Sequence, residues 1–183
     1  MMTNKKKSNV DPEEYVKALS HDAAINILLK LCKENAFVER IATMARASLA
    51  NVSADEIADE VFRSLNSIDI EDLWDNSGET RWGYQDPTEV AYEMIDDRLC
   101  CFIQKMKQCN SLSMKQEEME YCKGVIAGLL KYGTEGDNEF HDSVPDDPYT
   151  HAENILYDWK NSNTDENIKE VQAVYDRFFS DSE

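Results

Sequence analysis

Four short polar signals punctuate this chain, and each announces a helix: Ser53-Ala-Asp-Glu56, Asp86-Pro-Thr-Glu89, Ser113-Met-Lys-Gln116 and Asp147-Pro148. The first three have capping-box spacing, in which an N-cap oxygen accepts from the N3 amide and a Glu or Gln reaches back to the cap. Pro87 and Pro148 each follow an aspartate, as at a first helical position where proline's missing N–H is harmless. Apolar residues at helical spacing follow every signal, so the chain specifies a succession of amphipathic helices. With only 6 glycines and 4 prolines it lacks the turns that a β-sandwich or barrel needs. A length of 183 residues suits one domain with a real core, burying ~70% of the unfolded surface. The apolar fraction of 42% argues against global disorder.

Asp11-Pro12 opens a first expected helix, whose inward stripe runs through Tyr15, Val16, Leu19, Ala23, Ile27, Leu28 and Leu31. A second carries Phe37, Val38, Ile41, Met44 and Leu49, and the stripe after Ser53 is Ile57, Val61 and Leu65. A turn of helix fits Asp69 to Trp74, after which periodicity stops, and Asp75 to Gln85 reads as an irregular connection. The longest helix starts at Asp86 and ends at Asn110-Ser111. The next begins at Ser113, so the two form an antiparallel hairpin. Gly124 and Gly128 lie four apart on that second arm, a smooth strip for a closely approaching helix. Tyr132 to Asp146 reads as a second irregular stretch, before helices that follow Asp147 and Thr164. The expectation is an all-α fold of about seven helices in stacked antiparallel hairpins, either a short solenoid-like array or an irregular bundle. Residues 1–10, with Lys5, Lys6 and Lys7, form a disordered basic tail in this reading. Residues 11–183 form a single helical domain, with 11–76 and 86–180 as its sub-units.

Charge narrows the partners. The net charge is −18, but residues 1–50 hold 8 basic and 6 acidic side chains. Residues 51–100 hold 3 and 14, and residues 101–183 hold 8 and 17. The acidity therefore begins at Asp55. Such a surface repels phosphate backbones and anionic membrane, which excludes direct nucleic-acid binding and membrane docking as expectations. It serves either solubility, including in a salty cytoplasm, or attraction to a basic protein partner. Cys32, Cys100, Cys101, Cys109 and Cys122 form no C-x-x-C pair and are read as free, largely buried thiols of a reducing compartment. Met1 to Lys7 lacks the apolar core of a signal peptide, and no run of about 18 apolar residues exists. The expected location is the cytoplasm.

Chemistry-bearing constellations are few. The stretch Gly136-Asp-Asn-Glu-Phe-His-Asp142 offers Asp137, Glu139, His141 and Asp142 as candidate metal ligands. It breaks the EF-hand pattern of alternate acidic residues, a sixth-position glycine and a twelfth-position glutamate. No Glu-x-x-His pair supports a di-metal bundle, since His151 and Glu153 have the wrong order and spacing, so a solvated loop is expected. The chain contains no G-x-S-x-G, no G-x-G-x-x-G and no Walker loop, and no catalytic residue or cofactor is assigned. His21 fits a surface or capping role. The neighbouring carboxylates Asp59-Glu60 and Asp96-Asp97 diverge on a helix and read as solvated faces. Trp74, Trp82 and Tyr84 cluster before Asp86. They either fold back as a plug over the core or, with Asp86, anchor a partner, since Trp and Tyr dominate binding hot spots.

Asp69-Ile-Glu-Asp-Leu-Trp74, Trp82-Gly-Tyr-Gln-Asp-Pro-Thr-Glu89 and Tyr121-Cys-Lys-Gly-Val-Ile-Ala-Gly-Leu-Leu130 carry a resemblance. Residues 55–160 resemble the helical region that accompanies SWIM-type zinc-finger proteins of archaea and bacteria. The C-x-C and C-x-H pairs of that finger are absent, so its zinc site is not carried over. The resemblance implies a helical, repeat-like partner-binding module without chemistry of its own. The leading expectation is therefore a cytoplasmic interaction or adaptor module with an acidic partner-binding surface. The alternatives are an acidic regulator that mimics nucleic-acid charge and a metal-dependent enzyme using the 137–147 loop.

Overall fold

The computed structural model describes residues 12–81 and 83–180. Ten helices and one two-stranded sheet are present among the described residues. The basic segment 1–10 and Trp82 lie outside the described residues. The chain divides into two compact units, with the boundary between Ser48 and Leu49 rather than in the 77–85 connection.

The first unit contains α1 (Pro12–Lys17), α2 (His21–Leu31) and α3 (Asn35–Ala47). The single first helix expected from the apolar spacing is interrupted. Ser20 caps α2, its Oγ accepting from Ala23 N at 3.3 Å, and serine's preference for such local bonding ends α1 early. No residue of α2 is buried, and Tyr15, Val16, Ile27, Leu28, Phe37, Val38 and Met44 are exposed, contrary to the inward stripes expected of them. Periodicity reveals an apolar face. It does not reveal whether anything covers it.

The second unit holds the core. α4 (Ala54–Asn66) and α5 (Ile70–Asn76) precede a hairpin of β1 (Gly78–Thr80) and β2 (Gly83–Gln85). The long α6 (Pro87–Ser111) and α7 (Lys115–Glu135) follow, then α8 (Glu139–Ser143), α9 (Asp147–Ser162) and α10 (Asp165–Ser180). The count exceeds about seven because Ser20 divides the first helix and because α5 and α8 are helices in their own right. α7 is the centre. It packs against α4, α6, α9 and α10 and buries Met119, Tyr121, Cys122, Val125, Ile126, Leu129, Leu130 and Tyr132. The strip Glu120, Lys123, Ala127 and Lys131 is its half-exposed side.

The glycine strip behaves as expected. A Cβ on Gly124 would stand 2.5 Å from the Ile57 Cβ and 2.8 Å from the Ala54 carbonyl oxygen, so only glycine lets α4 lie this close. Glu120, one turn earlier, accepts from Ala54 N at 3.1 Å and so caps α4 from a neighbouring helix. Ser53 is the N-cap residue, but its side chain makes no capping bond. The α6–α7 turn also corrects the capping-box reading. Ser113 has φ 58° and donates its N–H to Asn110 O, while Met114 donates to Cys109 O. That is a Schellman motif closing α6, with Met114 as the N-cap of α7. Asp86 caps α6 as expected, accepting from Thr88 N at 2.8 Å. Asp147 is the first residue of α9 rather than its cap.

The connection expected to be irregular is the antiparallel hairpin, pairing Gly78 with Gln85 and Glu79 with Tyr84. Gly78 and Gly83 have φ of 82° and 125°, which supply its bends. Three-residue strands are too short to show alternation. No helix of the described residues is long and apolar enough to cross a membrane.

Candidate functional site

The aromatic segment does not plug the core where it is described. Trp74 and Tyr84 are 56% and 69% exposed. Leu73, one position before Trp74 on α5, is the buried residue, because successive side chains on a helix diverge. Asp86 is committed to the α6 cap through one oxygen and is otherwise exposed. Two of the five thiols, Cys109 and Cys122, are buried; Cys32, Cys100 and Cys101 are exposed, which corrects the expectation of largely buried cysteines. Burial pushes the Cys122 thiol well above its ordinary range, so it is inert.

The acidic 136–142 stretch is structural rather than an irregular loop. Asn138 organises it. Its Nδ2 donates to Ile68 O at 2.9 Å, with longer contacts to Asn66 O and Leu65 O, satisfying carbonyls left free where α4 ends. Its Oδ1 accepts from His141 N at 3.1 Å, capping α8, and from Tyr132 Oη at 2.8 Å. Asp137 and Asn66 bond reciprocally, Asn66 Nδ2 donating to Asp137 Oδ1 at 2.7 Å and Asp137 N donating to Asn66 Oδ1 at 3.2 Å. His141 sits edge-on to Tyr132, with Nε2 3.2 Å from Gly133 O. Glu139 and Asp142 are exposed. Asp137, Glu139, His141 and Asp142 do not converge, and among the described residues no three His, Cys, Asp or Glu side chains gather as metal ligands.

The structure instead assembles a groove of about 900 Å³ between α6 and α9, with the start of α7 at one end. Leu99, Ile103, Ile155 and Trp159 give it an apolar floor. Asp96, Asp97, Asp158 and Glu118 set four carboxylates against one amine, Lys107. Glu118 is 5% exposed and accepts from Asn110 Nδ2 and from Lys115 Nζ, the latter at 2.9 Å, so its charge is compensated. Trp159 Nε1 donates to Asn167 O at 3.3 Å, which fixes the indole.

His151 is the chemically distinctive group in this groove. It is 3% exposed, and its ring stacks on Tyr92 with centroids 3.9 Å apart. Asn154 Nδ2 donates to Tyr92 Oη at 3.0 Å and steadies the stack. His151 Nδ1 lies 3.3 Å from Asp96 Oδ1. Nε2 is buried and has no hydrogen-bond partner among the described residues. Burial lowers the imidazole pKa, against the opposing pull of Asp96, so His151 is neutral at pH 7.

Sequence reasoning set His151 aside because it forms no ligand motif with Glu153. A signal was present: Pro148, His151, Ala152, Leu156 and Trp159 share the buried face of α9 at helical spacing. A histidine on such a stripe needs a partner, and Asp96 of α6 supplies one. Asp96 keeps a 62% exposed side chain, so the solvated-face reading of Asp96-Asp97 holds in part. Compared with protein-family models, curated proteins and solved structures, the chain matches none of them.

Proposed function

We propose that this chain is a cytoplasmic protein-interaction module that receives a basic amphipathic segment of a protein partner in the groove between α6 and α9. One observation carries the reading: an apolar floor bordered by three exposed carboxylates, Asp96, Asp97 and Asp158, and a single lysine, in a chain of net charge −18. A helix with leucines on one face and lysines or arginines beside them matches both features, as in helix-in-groove recognition. Electrostatic complementarity would steer its approach and select against acidic segments. Exposed Trp74 and Tyr84, which do not line the groove, offer separate aromatic contacts to a partner. The resemblance to the helical region beside SWIM fingers supports the same class of role. The reading takes the helices of the second unit as an irregular bundle centred on α7.

Calorimetric titration of the full chain with a helical leucine–lysine peptide tests it, at low and at moderate salt. Expected is saturable binding that weakens as salt rises and is lost when Asp97 and Asp158 are both replaced by lysine. Binding that ignores both salt and charge reversal, or no binding at all, would refute it.

A further inference from the structure

We propose that the first unit is a dimerisation element, in which α2 and α3 pack against α2 and α3 of a second copy of this chain about a two-fold axis. The inference is independent of the groove reading and uses none of its residues.

The sequence of α2 sets the requirement. At 3.6 residues per turn, Asp22, Asn26 and Lys30 fall on one stripe, and every other residue after His21 is Ala, Ile or Leu. About two-thirds of the circumference is therefore apolar, and a helix of that composition is covered on more than one side. Yet no residue of α2 is buried, and none of the described residues of α3 is either. No two helices of this unit pack closely together among the described residues. At 11 and 13 residues, α2 and α3 are too short to persist as isolated helices in water. Something must cover them.

Area and charge select a second copy. Seven large apolar residues of α2 and α3 are 38–65% exposed. They present about 700 Å² per copy, so a pair buries roughly 1,400 Å², inside the ~1,200–2,000 Å² range of a stable interface. Residues 12–48 carry five basic and five acidic side chains and no net charge. Residues 51–183 carry 11 basic and 31 acidic, a balance of −20. Two copies therefore repel through the second unit, and the neutral helices are where the apolar gain meets no such opposition. The basic partner proposed for the groove finds no acidic excess here. Self-pairing also meets the need for cover on several sides. The α3 stripe of Phe37, Ile41 and Met44 can serve only one side of α2; a second α2 and α3 supply the rest, and a two-fold axis closes the assembly at two copies.

Sedimentation velocity of the full chain, from micromolar to millimolar concentration, tests this. Expected is a reversible equilibrium between 21.0 kDa and twice that mass. It tightens as salt rises, because screening relieves the repulsion between acidic units. Hydrogen exchange of the α2 amides slows as the dimer fills. Leu28→Lys places a charge opposite the polar stripe and weakens the dimer at least about a hundredfold, since a two-fold interface buries that charge twice. Met44→Lys does the same from α3. Lysine forms helix about as well as leucine, so the loss reports the contact and not the helix. Asn26→Lys, the same added charge on the polar stripe, changes the association constant about twofold at most, as a surface substitution does. Each variant keeps the thermal transition of the second unit. A single 21.0 kDa species at every concentration overturns the proposal. So does a dimer that Leu28→Lys leaves intact or that Asn26→Lys disrupts equally. Open-ended association beyond two copies overturns the two-fold arrangement. Each of these failures leaves the groove reading standing, because peptide titration of Leu28→Lys measures that reading by itself.

Discussion

Gly128 of α7 lies against Val61 of α4 so closely that a Cβ on the glycine would stand 2.6 Å from the valine Cβ and 2.7 Å from the Ala58 carbonyl oxygen. Alanine would gain about 1 kcal/mol of helix propensity over glycine. The clash outweighs this, because a branched Cβ and a backbone oxygen cannot turn aside as a flexible side chain can. Gly128→Ala is expected to destabilise the fold by about 1–3 kcal/mol. Its urea midpoint should fall with an unchanged m-value. Gly133→Ala is the control, since its Cβ would meet only outer ring atoms of Tyr149, and it should cost less. An unchanged or raised midpoint for Gly128→Ala would show that α4 and α7 do not approach as described.

Asn138 ties the end of α4 to the start of α8 through both ends of its amide. Asn138→Ala leaves the Ile68 carbonyl, the Tyr132 hydroxyl and the His141 amide without this partner, and is expected to destabilise by about 2–3 kcal/mol. Asn138→Asp keeps the Oδ1 contacts but turns a carboxylate oxygen toward the Ile68 carbonyl, so it should be at least as damaging. A metal-binding loop would respond oppositely, since aspartate would add a ligand. Thermal melts of the two variants, with and without added calcium, separate the cases: an aspartate variant stabilised by calcium would sink the clamp reading.

How much of this was legible follows from the range of the interactions. Asp86 was readable as a cap because its bond to Thr88 N spans two residues, and the proline beside it fixes the helix start. The Gly124–Gly128 strip was readable because glycines four apart on a helix must share a face. Ser113 was misread because a Schellman ending and an N-cap both favour small polar residues, and the five-residue reach from Met114 N to Cys109 O decides between them. The Glu120 cap on Ala54 spans 66 residues and has no local signal at all. The groove is of the same kind. Asp96 and His151 are brought together only when α6 and α9 both pack on α7, and local pattern treats one as surface and the other as an isolated histidine.

The same histidine sets a pH dependence whose sign is fixed by burial. His151 has its pKa lowered in the fold, chiefly by desolvation and against the attraction of Asp96. The unfolded chain, titrating near 6.5, therefore binds the proton more readily than the folded one. The contribution of neutral His151 is fully present above about pH 6.5 and is lost as pH falls through the folded pKa, at up to about 1.4 kcal/mol per pH unit. Asp147 acts in the opposite sense and at lower pH: burial raises its carboxyl pKa, so protonating it relieves a penalty. Between pH 7.5 and 5.5 the wild type should lose stability more steeply than His151→Phe, with the difference closing above pH 7. Urea midpoints collected across that range read it directly. Parallel curves for the two proteins would mean that His151 is not held neutral in the fold.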